Sequence, residues 1–159
     1  MTADTLTLQP IDISWAFEPF DGLSPRTLYQ VLQLRSEVFV VEQACIFQDM
    51  DGADEQAMHL LGCSGGQLVA YARCFRAGIK YAEASIGRVI TRSNTRATGL
   101  GHMLVQRALE AINAHWGAAP IRIGAQARLE KFYNRHGFAK VGPVYDEDGI
   151  DHIEMVRPA

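Results

Sequence analysis

Apolar and polar positions alternate or cycle along the chain closely enough to predict most of its elements. Ile13-Ser14-Trp15-Ala16-Phe17-Glu18 alternates as a half-buried strand does. Ser24-Pro25 then opens a helix, with a hydroxyl cap followed by proline at the first helical position. Leu28, Val31, Leu32, Arg35, Val38 and Phe39 form its face, and Arg35 interrupts an otherwise apolar stripe. No stop signal precedes Val40-Val41-Glu42-Gln43. Residues 45–55 read as an irregular, partly buried loop carrying Asp49, Asp51, Asp54 and Glu55. Met58–Ser64 and Gln67–Phe75 are two strands joined by Gly65-Gly66, a hairpin signal. Alternation in the second puts Leu68, Ala70, Ala72 and Cys74 on one face, and Val69, Tyr71, Arg73 and Phe75 on the other. After a loop, residues 85–91 are short and β-branched, a strand. Leu100, Met103, Leu104, Ala108, Ala111 and Ile112 recur at helical spacing and predict a helix to about Trp116. Residues 120–125 give a fifth strand, and 128–136 a short helix stopped by Gly137, with Phe138 placed to close a Schellman cap. Two closing strands, 139–145 and 152–156, flank the acidic loop Asp146-Glu147-Asp148-Gly149. Residues 1–10 read as a loose tail.

This order predicts a mixed α/β sheet with helices on both faces. At 159 residues the chain is read as one domain, 1–159. Its 48% hydrophobic and 21% charged content is that of a globular protein. A net charge of −3 argues against a broad nucleic-acid surface. No apolar run approaches the roughly 20 residues of a membrane span, and the N-terminus lacks the features of a signal peptide. Cys45, Cys63 and Cys74 have no Cys-x-x-Cys spacing and suit reduced thiols in a cytoplasmic protein rather than a zinc site.

The chemistry concentrates where the fourth strand turns into the long helix, at Arg96-Ala97-Thr98-Gly99-Leu100-Gly101. Free N–H groups and the helix dipole favour an anion there, and glycine lets it approach the backbone. The same two glycines could simply make a turn. No Gly-Lys pair occurs, which excludes a P-loop. Leu104 stands where a dinucleotide fingerprint needs its third glycine.

Arg-x-x-Gly-x-Gly between a strand and a long helix resembles the acetyl-CoA-binding motif of the GNAT superfamily of N-acetyltransferases. Lys131-Phe132-Tyr133-Asn134-Arg135-His136-Gly137-Phe138 resembles the superfamily's second signature. Several stretches, among them residues 34–43, Gln48-Asp49-Met50-Asp51-Gly52, residues 69–73, 86–90 and 124–127, and 147–153, resemble the ElaA-like subgroup. The resemblance implies a GNAT fold, with a central mixed, mostly antiparallel sheet of about six to seven strands. It also implies acetyl-CoA as co-substrate, no metal, and direct transfer to a primary amine of a small molecule or peptide, by a monomer or homodimer without nucleic-acid or membrane partners. Position by position, backbone groups of Val89, Ile90 and Thr91 would pair with the pantetheine arm. N–H groups of Ala97, Thr98, Gly99, Leu100, Gly101 and His102 would hold the pyrophosphate, with Arg96 leading the loop. Gln126 falls where relatives have an asparagine beside the cofactor. Tyr133 falls on the tyrosine near the thioester sulfur. Ile121 stands where some relatives place a carboxylate base, so this chain needs its base from elsewhere.

Two side chains are candidates for that base. Glu42 ends the first helix beside the acidic loop, where partial burial would raise its pKa; the alternative is a local pair, for instance with Arg35. His152 opens the last strand and is of a type that titrates near neutrality. His59 and His102 read as structural. The two acidic clusters, 49–55 and 146–151, lead to the expectation of a cationic acceptor. The competing class is a non-catalytic acyl-CoA-binding module on the same fold, which the Tyr133 hydroxyl disfavours.

Overall fold

The structure, a computed structural model, describes residues 12–159; the tail assigned to residues 1–10 lies outside them. Seven strands form one sheet: β1 (Ser14–Pro19), β2 (Met58–Ser64), β3 (Gln67–Phe75), β4 (Ala84–Thr91), β5 (Ile121–Gln126), β6 (Ala139–Glu147) and β7 (Ile150–Arg157). Their spatial order is β1-β2-β3-β4-β5-β7-β6. Every pairing is antiparallel except β4 with β5. Among the described residues there are three α-helices: α1 (Pro25–Arg35), α2 (Leu100–Trp116) and α3 (Glu130–Asn134). Among the described residues no helix is long and apolar enough to cross a membrane.

The local signals act as expected at several ends. Ser24 Oγ accepts the Thr27 amide at 3.1 Å, with Pro25 behind it. Gly137, at φ +85°, ends α3, and the Phe138 amide reaches back to the Tyr133 carbonyl at 3.3 Å.

Helices cover both faces. On one, Leu104, Val105, Ala108 and Ile112 of α2 pack on Ala70, Ala72 and Cys74 of β3 and Ile86 of β4. On the other, Val31, Leu34 and Val38 pack on Leu61, Leu68, Tyr71 and Ile90. Two expectations need correction here. Leu34, omitted from the predicted face of α1, is fully buried, and so is Arg35. The strict alternation of β3 also fails at its start. Between Gly62 and Cys63 the register with β2 slips, so Val69 joins the α2 side and Leu68 the α1 side. A bulge inserts one residue and reverses the facing of what lies beyond it. Past Arg35 the chain continues as a π-helical turn, Ser36–Glu42, which swings Phe39, Glu42 and Gln43 toward the middle of the sheet.

Candidate active site

The sheet opens where its one parallel pair gives out. β4 and β5 share only the rungs Ala84–Ile121 and Ser85–Arg122. Beyond them β4 bulges against β3, with the register shifting between Tyr71 and Arg73, and Arg88 takes φ +49°. A non-glycine residue in the left-handed region costs about 1 kcal/mol or more. The bulge turns the rest of β4 away from β5. Its backbone groups on that side, through Val89, Ile90 and Thr91, have no ladder partner and are free to pair with an added extended ligand. The result is a cleft of about 890 Å³.

At its mouth stands the N-terminus of α2. Met103 N–H makes the helix's first bond, to Gly99 O, and no side chain caps the end. The amides of Leu100, Gly101 and His102 therefore lack helical acceptors. Ala97 at φ +66° and Gly99 at φ +83° curl the loop around that end. A Cβ on Gly99 would meet nothing within 4 Å, so the space beside Gly99 is open. This fits a pyrophosphate. Arg96 and Gly101 line the cleft. Ala97, Thr98 and Gly99 continue at the surface, Leu100 turns into the core, and the His102 ring stacks on Phe132 with its Nδ1 2.9 Å from His136 Nε2.

Glu42 lines the cleft but is not the raised-pKa carboxylate expected from sequence. Both its oxygens take the Arg96 guanidinium, Nη2 to Oε2 at 2.8 Å, and this hydrogen bond holds Glu42 below the usual carboxylate range. Its partner is Arg96, not Arg35. Glu42→Gln is therefore expected to lower kcat far less than the ~10²-fold that loss of a general base costs. Steady-state rates at saturating acceptor check this.

Tyr133, Gln126 and His152 line the same cleft. Burial alone pushes the Tyr133 phenol up to about 12, with no hydrogen-bond partner contributing. Gln126 Nε2 donates to Gln43 Oε1 at 3.2 Å, and Oε1 accepts from Arg128 at 3.0 Å. His152 Nδ1 lies 2.8 Å from Ile150 O and Nε2 lies 3.1 Å from Glu147 Oε2, so both ring nitrogens face oxygens. Sequence reading missed Tyr81 and Tyr145. Their hydroxyls converge on Gly124 of β5, where a Cβ would stand 2.9 Å from the Tyr145 oxygen and 3.1 Å from that of Tyr81. Burial pushes Tyr145 up to about 12. An isolated glycine inside a strand was the available signal, since it often marks a close approach.

Three of the four acids in the first cluster, Asp49, Asp51 and Asp54, are already paired with cations. Arg35 bonds Asp49 and Asp54, each at 2.7 Å. Arg73 takes both oxygens of Asp51 at 2.8 Å and reaches Asp54 at 2.9 Å, and Arg88 reaches Asp49 at 2.8 Å. Hydrogen bonds from Arg73 hold Asp51 well below the carboxylate range. Burial opposes ionisation of Asp54, yet Arg35 and Arg73 outweigh it and hold Asp54 low as well. In the second cluster, Glu147 and Asp148 line the cleft, whereas Asp146 caps its own turn at Gly149. His59 is locked between Tyr71 Oη at 2.6 Å and Asp54 O at 2.9 Å.

The family model described as acetyltransferase (GNAT) domain matches residues 25–158, so every element from α1 to β7 falls within an acyltransferase domain. Protein ElaA of Escherichia coli (strain K12) is 44% identical over 147 residues, 91% of this chain and 96% of that protein. The chain belongs to the GNAT acetyltransferase family. Among solved structures, an acyl-CoA N-acyltransferase from Pseudomonas aeruginosa is 42% identical, with a TM-score of 0.88 over 92% of this chain and 99% of that one. Escherichia coli ElaA, also 42% identical, gives 0.86 over 92% and 99%. An aminoglycoside 6'-N-acetyltransferase complexed with coenzyme A is 15% identical and shares the fold, with a TM-score of 0.68 over 90% and 96%.

Proposed function

We propose that this acyltransferase moves an acetyl group from acetyl-CoA directly to a primary amine of a small molecule or peptide. What supports the reading is one continuous cleft that holds the uncapped end of α2 at Arg96 and Gly101, the unpaired edge of β4, and the Tyr133 hydroxyl. The coenzyme A bound to the aminoglycoside acetyltransferase of the same fold points the same way. Acetyl-CoA supplies a thioester whose acyl carbon the amine attacks. The chain's own residues do the rest. Amides of residues 97–102 hold the pyrophosphate, and Val89, Ile90 and Thr91 hold the pantetheine arm as an added strand. Gln126 anchors the arm's far side. A β4 amide at the bulge stabilises the developing oxyanion. Water accepts the amine proton, or His152 does so once the exposed Glu147 leaves its Nε2.

Tyr133 donates its hydroxyl to the leaving sulfur. A phenol near 12 is a weaker acid than a thiol near ~8.5, so a hydrogen bond to the thiolate is favoured over complete transfer. Tyr133→Phe is accordingly expected to lower kcat by about 10²-fold, the lower end for such groups, with CoA affinity unchanged. Calorimetry with CoA and a thiol-release assay with an amine panel check both halves. Tight CoA binding by the wild-type protein with no turnover of any amine would favour the non-catalytic binding module instead.

A further inference from the structure

We propose that the acceptor amine also carries a carboxylate, and that this carboxylate docks on the cationic corner formed by Lys80, Arg88 and Arg73. The inference rests on the acyl-transfer reading above and specifies its second substrate.

Charge in this corner does not balance. Four cations, Arg35, Arg73, Arg88 and Lys80, face three carboxylates, Asp49, Asp51 and Asp54. The imbalance is concentrated on the cleft side. Arg73, Lys80 and Arg88 line the cleft, whereas Arg35, Asp49 and Asp54 do not. Asp51 is the carboxylate they share there, with Arg73 at 2.8 Å, Lys80 at 3.5 Å and Arg88 at 3.7 Å. The other cleft carboxylates are Glu42, which pairs with Arg96; Glu147, whose Oε2 lies 3.1 Å from His152 Nε2; and Asp148 on the β6–β7 turn.

Donors are left over as well. A guanidinium has five N–H groups. Arg88 uses Nε and Nη2, on Asp49 Oδ1 and Asp49 O, and its Nη1 has no hydrogen-bond partner among the described residues. Arg73, only 3% exposed, keeps its Nε buried without a partner. A buried unmet donor such as Arg73 Nε is costly and uncommon, whereas Arg88, 24% exposed, leaves its Nη1 within reach of a ligand. Aromatic faces hold the cations in place. Phe75 lies 4.9 Å from the Arg73 guanidinium carbon and 5.3 Å from Lys80 Nζ, and Phe39 and Phe47 lie 5.9 and 6.0 Å from that of Arg88. The strained φ of Arg88 keeps its side chain at the bulge, beside the expected reacting centre.

An ammonium steered here would meet three positive charges against the one carboxylate of Asp51. A carboxylate would meet Arg88 Nη1 and the Lys80 ammonium in an aromatic-walled corner, where charge-assisted bonds add to the attraction. The same cations lower the pKa of a nearby ammonium, so they also favour the neutral amine that attack requires. The second acidic cluster also reaches this cleft, through Glu147 and Asp148, with Asp148 O 3.5 Å from Cys45 Sγ, so the preference rests on the donors nearest the ligand.

Matched triplets of amines test the proposal, for example an amino acid, its carboxamide and its decarboxylated amine, assayed with acetyl-CoA by thiol release. The free acid is expected to exceed the other two by about tenfold or more in kcat/KM, the worth of one or two charge-assisted hydrogen bonds. Lys80→Met should collapse the acid-to-amide ratio, and Lys80→Arg should restore it. A better carboxamide or decarboxylated amine would overturn the charge preference and leave acetyl transfer standing. If no amine turns over, calorimetry on the CoA-saturated protein decides with the N-acetylated acid and its N-acetylated amide as ligands. Tighter binding of the acid supports the docking corner, and equal or absent binding overturns it. Failure to bind CoA at all removes the underlying reading separately.

Discussion

Replacing Arg35 with methionine is expected to lower the unfolding free energy by about 3–5 kcal/mol, the usual cost of removing one partner from a buried ion pair. Arg35 is fully buried beneath α1 and ties two segments of the 45–55 loop to it, through Asp49 and Asp54. Methionine fills the stem's volume but leaves both carboxylates with one cation fewer in a poorly hydrated place. Arg35→Lys should fall between the two, because an ammonium cannot present the fork that bridges both acids. Urea unfolding at neutral pH checks the order: wild type, then lysine, then methionine.

The pH dependence carries a sign that tests the same account. Asp51 and Asp54 have folded pKa values depressed by their guanidinium partners. Their contribution is complete above the unfolded value near ~3.9 and is lost as pH falls through the folded ones. Wild-type stability should therefore stay level through neutral and mildly acidic pH and decline below about pH 4. In Arg35→Met, Asp54 loses one of its two guanidinium partners, and protonating it relieves the folded state. The deficit of the variant should shrink as the solution is acidified. A deficit independent of pH would mean that lost packing, not lost charge pairing, dominates.

What the sequence revealed follows from how local each signal is. Strand alternation in β1, the proline-started α1, and the glycine loop before α2 are written within a few residues, and they stand as expected. Bulges are not written that way. Arg88 and Val69 lie in unbroken β-branched or alternating runs, and only pairing with the neighbouring strand shows which residue is extra. The charge network is less local still. Arg35, Arg73 and Arg88 lie 14, 22 and 39 residues from carboxylates they hold, so the acids of the loop read as unpaired until the fold supplies their cations. The same holds for the cleft. Tyr133 sits in a contiguous motif, but Tyr81, Tyr145, Arg73 and Lys80 meet only through the order of strands β3, β4, β5, β7 and β6. Glu42 misled because its partner, 54 residues away, is the arginine that opens the phosphate loop.

Gly99→Val is expected to weaken CoA binding by ~10²-fold or more, with a smaller loss of stability from the strained backbone. Gly99 sits at φ +83° directly before α2, where a β-branched residue is disfavoured. More important is the space its side chain would take. Nothing lies within 4 Å of a Cβ there, so the two methyl groups would project into the open space at the start of α2 that a pyrophosphate needs to approach. A pyrophosphate kept from two of the free amides there forfeits two charge-assisted bonds, each worth about 1.5–3 kcal/mol. Gly101 is a poorer target. A Cβ on it would touch the Phe132 ring at 3.6 Å, and that ring packs edge-on against Tyr133, so the substitution would disturb the phenol as well as the phosphate seat. Gly99→Asn separates the two effects in the chosen variant, because asparagine tolerates the left-handed conformation yet still projects a side chain. If Gly99→Asn keeps the stability of the wild type but loses CoA affinity in calorimetry, the loop works by leaving its amides open. If both variants bind CoA as the wild type does, the end of α2 is not where the phosphates sit.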